Sequence, residues 1–451
     1  MKILTTAGAL LALSVPAQAQ VVPQPSAGAY QRAVAAGYKA ALYCSGIFNA
    51  GRTPAQIDAD ELTGIYPDYD SIVPTLTAKV DARLKSVTVA FDDRMPPRHA
   101  LWRKGRGCVT LPIGSTAPKA ENAAAPTTIR GADPRLWPQG DAGIAPRPSV
   151  RLSETVGKAF GDSYGTGAKT VGVVVLKDGR VVAERYRDGF GPFVSNRTWS
   201  VGKSIAGTLI GLADPASLTA PATIPQWRDG DPRRGITVNH LLRMASGLHS
   251  DTAGNRTDAI YFGGTTVDEQ AVAWPLEVTP GTRFRYANND ILLAIYAARQ
   301  RIGESRYQAL PDSLFGPLGM THSVAETDWH GNYILSSQVW STARDLARLG
   351  QFWLQDGVWA GKRLLPEGWV RTMTTPGGPQ PASGPGYGAT LWLFGPGQGL
   401  PQGSFAAQGN RGQYVMVIPS RRLVVVRRGE DPGAARFDIA RFAAEIDRML
   451  P

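Results

Sequence analysis

The sequence predicts an α+β chain: an antiparallel sheet flanked by helices, with a helical region inserted between its first and last strands. A small N-terminal α/β module precedes it. Three observations carry this expectation. Hairpin signals stand near both ends of residues 150–451. The stretch between them, about 200–370, reads as helical and loop-rich. A proline-rich interval separates this region from an N-terminal part with helix and strand patterns of its own.

Composition narrows the class. The chain has 451 residues, of which 43% are hydrophobic and 19% charged, which is ordinary globular usage rather than a disordered tail or a fibre. At roughly 100–200 residues per domain, two or three domains are expected. The net charge of +11 is spread along the chain and comes mostly from arginine. No dense basic run marks a nucleic-acid surface, so no nucleic-acid partner is expected.

Residues 1–19 read as a secretory signal. Met1-Lys2 is a short positive start, Ile3 to Val15 is mostly apolar, and Ala17-Gln18-Ala19 offers a small-x-small cleavage site. That run is too short to span a membrane, and no other stretch approaches a span, so no stable membrane insertion is expected. The expected location is periplasmic or secreted.

Residues 20–112 form the small module. Ala27 to Ser45 is Ala-rich with helical spacing, and Pro54 to Ile65 carries a second, shorter helical pattern. Ser86 to Phe91 alternates like a strand, with Ala100–Arg103 as its partner. Cys44 and Cys108 are the two cysteines of the chain. In an oxidising compartment such a pair predicts a disulfide, here clamping the first helix to the sheet. The alternative is two buried thiols.

Residues 113–149 hold six prolines, from Pro118 to Pro148, with Pro112 at the border, among many Ala and Gly; they read as a linker without regular structure. From 150 on, the domain begins. Val171–Leu176 and Arg180–Arg185 flank Asp178-Gly179, a strong hairpin signal. Tyr414–Ile418 and Leu423–Val426 flank Pro419-Ser420 as a second hairpin, and a last helix runs from about Ala435 to Leu450. Strands at both ends with helices between predict one sheet closed by the two ends of the domain.

Three segments could carry chemistry. The first is Ser200-Val201-Gly202-Lys203, followed by the apolar run Ile205 to Ala213. On a helix starting at Ser200, Lys203 lies one turn on and on the same face. The helix N-terminus favours negative charge at the serine oxygen. In this apolar context the lysine is expected to be buried, which lowers its pKa toward that of a useful base. A capping Ser beside a surface Lys is the plainer reading, and the apolar run weighs against it. The second segment is Tyr286-Ala287-Asn288, just before apolar Ile291 to Ala298. Capping alone could account for the asparagines; a chemical role makes Tyr286 a base or relay and Asn288 an amide that fixes Lys203. The third is Gln408-Gly409-Asn410-Arg411-Gly412, entering a strand. There a glycine permits close backbone approach to a ligand, and a plain tight turn is the alternative.

Ser-x-x-Lys, then Tyr-x-Asn, then a Gly-rich strand edge, in this order, resembles the serine β-lactamase and penicillin-binding-protein superfamily. The spacing is similar to its class C and esterase branch, which includes 6-aminohexanoate-dimer hydrolases. Leu241–Leu248, Ser341–Arg348 and Leu365–Trp369 also look familial, and the resemblance covers about 150–450. It implies a β-lactamase-like fold and an acyl-enzyme on Ser200, with Lys203 and Tyr286 as acid and base and Asn288 orienting Lys203. The N–H groups of Ser200 and Asn410 would form the oxyanion hole, the latter following Gly409. The substrate would be a small ester or amide, and no metal or organic cofactor is implied. Where the family carries Lys-Thr-Gly or His-x-Gly, this chain has Ala407-Gln408-Gly409. The missing cation favours ester or linear amide hydrolysis over β-lactamase or D-Ala-D-Ala peptidase activity. Arg411 is expected either to reach back to the pocket rim and grip a substrate carboxylate or to point to solvent. Tyr261 is expected either to line the pocket or to lie on the surface.

Rival sites are weaker. Gly161-Asp162-Ser163-Tyr164-Gly165 matches a nucleophile elbow, but a helix-like segment precedes it and a strand follows, the reverse of what an elbow needs. The five histidines form no tight ligand spacing, so no metal is expected. A retired binding or sensor module on the same fold is the other function class. It would be expected to have lost the nucleophile, the lysine or the tyrosine, and all three are here.

Overall fold

The structure, a computed structural model, describes residues 27–116, 131–250 and 257–450. The signal expected over 1–19, and residues 117–130 of the proline-rich interval, lie outside the described residues.

The N-terminal module is helix Ala27–Phe48 laid on a four-stranded antiparallel sheet. Its strands Ala78–Asp81, Ser86–Val89, Arg98–Arg103 and Gly107–Thr110 follow one another in chain order. The Ala-rich face of the helix lets it approach other backbone closely. A Cβ on Gly37 would sit 2.0 Å from the Phe262 carbonyl oxygen, so only glycine fits there. Cys44 and Cys108 are disulfide-bonded and join the helix to the last strand. The second helix is short, Pro54–Asp60, closed at its start by a Thr53–Gln56 capping box.

The larger sheet has seven antiparallel strands. Their spatial order is Gly386–Tyr387, Trp392–Phe394, Ser404–Gly409, Gln413–Ile418, Leu423–Gly429, Thr170–Lys177, Arg180–Tyr186. Leu423–Gly429 pairs with Thr170–Lys177, so the two ends of the domain close one sheet, as the hairpin signals predict. At the first hairpin Asp178 and Gly179 have φ of +53° and +77°, the backbone a tight two-residue turn requires.

Side chains alternate between two cores. Val173, Val175, Met416 and Val425 pack with helices Val150–Lys158 and Ile439–Met449 on one face. Val174, Leu176, Val415 and Val424 belong to the main core on the other face, under helices Val201–Ala213 and Ala343–Leu354. Burial on both faces explains why these strands read as continuous apolar runs. The last helix starts at Ile439, capped by Asp438, rather than near Ala435.

Residues 131–149 carry no strand or helix beyond one Leu136–Ala142 bridge, with Ser149 capping the helix that begins at Val150, yet they are held to the domain. The buried Arg348 guanidinium donates to the carbonyls of Pro138 and Gly140 and to the Asp141 carboxylate. The small module is likewise docked. Glu326 Oε1 accepts from Ser45 Oγ at 2.6 Å, Asn49 Nδ2 at 2.8 Å and the Cys108 N–H at 2.9 Å. Burial raises the Glu326 carboxyl to about 7.

Candidate active site

Ser200 stands at the start of helix Val201–Ala213, the most apolar segment of the middle region. The residue before it, Trp199, has φ +50°, a left-handed conformation rare for a bulky side chain. The Arg197 guanidinium lies 3.8 Å over the Trp199 ring and helps to fix that turn.

Lys203 is 1% exposed. Its Nζ lies 2.9 Å from Ser200 Oγ, 2.5 Å from Asn288 Oδ1 and 2.9 Å from the Ser336 carbonyl oxygen. Burial, with a smaller push from the nearby Arg197 charge, holds its pKa well below the ordinary lysine value. Tyr286 lines the cleft with Ser200, and its ring centroid is 4.9 Å from Lys203 Nζ. Burial pushes the Tyr286 hydroxyl well above the usual tyrosine range, so it keeps its proton at neutral pH. Asn288 opens helix Asn288–Ile302 without capping it: the cap position is Ala287, and no side chain serves as cap. The asparagine oxygen goes to Lys203 instead.

The third segment is the end of strand Ser404–Gly409 and the turn after it. A Cβ on Gly409 would lie 2.4 Å from the Thr198 carbonyl oxygen and 3.1 Å from the Ser200 nitrogen. Glycine is needed because this strand edge touches the turn that carries Ser200. The close approach, rather than a plain turn, explains the residue, and it brings the peptide entering Asn410 alongside Ser200.

These groups open on a cleft of about 640 Å³ that Ser200, Tyr286, Asn288, Gly409 and Asn410 all line. Tyr261 lines it too and is buried, not a surface residue; its hydroxyl is 2.5 Å from Ser336 Oγ, and burial raises it to about 12. Ser336 was not foreseen. It acts through a backbone carbonyl, which no residue type signals.

Arg411 reaches the cleft and lines it, and it does not point to solvent: it is 6% exposed, and its guanidinium donates to protein acceptors. Nε donates to Glu430 Oε2 at 3.2 Å, Nη1 to the carbonyls of Thr63 and Gly64, and Nη2 to the carbonyls of Asp60 and Glu430. Three of these carbonyls belong to the small module. That module also walls the cleft through Tyr38, Gly64, Ile65, Tyr66 and Pro67. Sequence reasoning missed this contribution because the module lies outside the familial motifs.

Of the rival features, Ser163 sits on a one-turn 3-10 helix between helix Val150–Lys158 and strand Thr170–Lys177, not on an elbow. His240 closes a capping box with Thr237. Among the described residues no helix is long and apolar enough to cross a membrane.

The β-lactamase family model matches residues 158–446. The chain belongs to the β-lactamase family, and its fold is that of the family. It is related to the 6-aminohexanoate-dimer hydrolase of Paenarthrobacter ureafaciens, with 29% identity over 286 residues; the match covers 57% of this chain and 65% of that one. Two solved structures share the fold. A provisionally assigned 6-aminohexanoate-dimer hydrolase from Bacillus anthracis aligns with a TM-score of 0.54 and 22% identity, over 67% of this chain and 86% of its own. A class C β-lactamase in complex with cefoxitin aligns with a TM-score of 0.51 and 15% identity, over 66% of this chain and 98% of its own.

Proposed function

We propose that this chain is an exported serine hydrolase that cleaves small esters or linear amides through an acyl-enzyme on Ser200. The observation that carries the reading is the setting of Lys203. A neutral amine has two N–H groups and one lone pair. Asn288 Oδ1 and the Ser336 carbonyl accept the two N–H groups. The lone pair is then left for the Ser200 hydroxyl at 2.9 Å.

On this reading Ser200 Oγ attacks the carbonyl carbon as its proton moves to the Lys203–Tyr286 pair. Tyr286, protonated in the resting site, passes a proton to the departing alcohol or amine. The Ser200 and Asn410 N–H groups receive the developing oxyanion. Water then attacks the acyl-enzyme, and Ser200 regains its proton. No step calls on a metal or organic cofactor.

Ala407-Gln408-Gly409 offers no cation where β-lactam-processing relatives hold a carboxylate, which favours neutral esters and linear amides. The name of the Paenarthrobacter relative agrees with amide hydrolysis. The leader pattern of residues 1–19 and the Cys44–Cys108 disulfide support a periplasmic or secreted location.

The test is intact-mass labelling with a fluorophosphonate, run beside p-nitrophenyl esters, linear amides and nitrocefin. Ser200 should be the labelled residue, and Ser200→Ala should lose label and turnover together. Label on Ser163 would move the nucleophile elsewhere. Turnover of nitrocefin far above that of the esters would make the chain a true β-lactamase.

A further inference from the structure

We propose that the N-terminal module is a working part of the active site. Tyr66, on its Gly64–Pro67 loop, forms with Trp199 an aromatic wall beside Ser200 that selects esters or amides with a neutral, ring-bearing acyl group. The proposal rests on the reading of Ser200 as nucleophile and adds a substrate class to it.

The loop is built into the cleft rather than resting near it. Gly64 has φ +61°, and a Cβ there would meet Pro432 Cβ at 2.3 Å. The Gly433 N–H donates to the Gly64 carbonyl at 2.8 Å. Arg411 holds the carbonyls of Thr63 and Gly64 at 3.1 and 3.2 Å. Asp60, just before the loop, takes Arg52 of the module at 2.6 Å and Arg187 of the large domain. Arg411 directly follows Asn410, so the same guanidinium that fixes the loop also fixes the turn carrying the second oxyanion donor.

Rings form two sides of the lining that holds Ser200. Tyr66 meets Trp199 edge-on with centroids 6.4 Å apart, and Tyr286 lies 5.4 Å from Trp392. Charged groups of the same cleft have other partners. Arg411 is engaged as above, and Asp431 is bound by Arg427 at 2.7 Å. Arg436 is exposed and donates to the Gly433 and Ala435 carbonyls. A flat apolar ring gains edge and face contacts in such a wall. A carboxylate set against these rings beside Ser200 would be desolvated at a cost.

The experiment compares p-nitrophenyl acetate, benzoate and a monosuccinate ester on the full-length enzyme, with fluorophosphonate labelling as the control for the nucleophile. Wild type should favour the benzoate. Tyr66→Ala should lower kcat/KM for benzoate about tenfold, equivalent to about 1.4 kcal/mol, and leave acetate within about twofold. Tyr66→Phe, which keeps the ring, should retain the preference and guards against misfolding of the alanine variant. Equal losses on both esters with Ser200 still labelled, or a preference for the succinate ester abolished by Arg436→Ala, would overturn the aromatic wall alone. Absence of label and of turnover on every ester would instead remove the hydrolase reading beneath it.

Discussion

Asn288 Oδ1 accepts a hydrogen bond from Lys203 Nζ at 2.5 Å, from the first residue of its helix and with no capping duty there. Asn288→Asp would put a carboxylate on the amine. An opposite charge this close raises a lysine pKa by about 1–3 units. The proposed mechanism needs the neutral amine, so the acidic limb of the kcat/KM profile should move to higher pH. Activity at pH 7 should fall about tenfold or more, with partial recovery at pH 9. An unmoved limb would mean that Lys203 is not the base.

Lys203→Met and Tyr286→Phe should each lower kcat by about 10²–10⁴, the range for a positioned acid or base. The loss of the double variant in steady-state rate should fall far short of the product of the single losses, because on the proposed mechanism both groups handle one proton. Full multiplicativity would assign them to separate steps.

Arg411→Ala should act on stability, not on substrate charge. Removing it leaves Glu430 buried without its ion pair and leaves module carbonyls without their donor. Losing one partner of a buried pair costs about 3–5 kcal/mol. The urea midpoint should drop, while KM values for anionic and neutral esters shift alike. A selective rise in KM for anionic esters would restore a carboxylate-binding role.

Asp290 is buried, accepts from Ser246 Oγ at 2.8 Å, and has its carboxyl raised from 3.8 to about 7 by burial. A raised folded-state pKa means stability that is complete below the unfolded value and is lost as pH rises through the folded one. Asp290→Asn keeps an acceptor oxygen and removes that loss. Thermal melts should show the variant gaining on wild type between about pH 4 and 7, with a flat difference below that range.

Reduction of Cys44–Cys108, which are 64 residues apart, should destabilise the chain by about 4 kcal/mol on the chain-entropy view. Denaturation with and without reductant measures it. Unchanged midpoints would mean that the module is held by its docking contacts alone.

Much of this was legible beforehand, for reasons visible in single residues. Asp178-Gly179 marks its hairpin because few other pairs accept positive φ at both positions. Ser200 and Lys203 stand out because a lone charge in an apolar helix demands an explanation. The carbonyl of Ser336 was invisible, since every residue has one. For Arg411, local spacing shows its reach to the cleft but not its carbonyl partners in the small module, which lie about 350 positions earlier in the chain. The wall formed by Gly64–Pro67 was hidden for the same reason: long-range docking leaves no periodic trace in sequence.

The three donors gathered on one oxygen of Glu326 make the two units poor candidates for exchange by cut and paste. A β-lactamase-fold domain trimmed to begin near residue 150 would leave that carboxylate without Ser45, Asn49 and the Cys108 N–H, and Arg411 without the carbonyls of Asp60, Thr63 and Gly64. Glu326 would then lose all three donors, and Arg411 would keep only Glu430. Any swap of this module between relatives therefore has to carry its receiving residues, Glu326 and Arg411 among them, as part of the same graft.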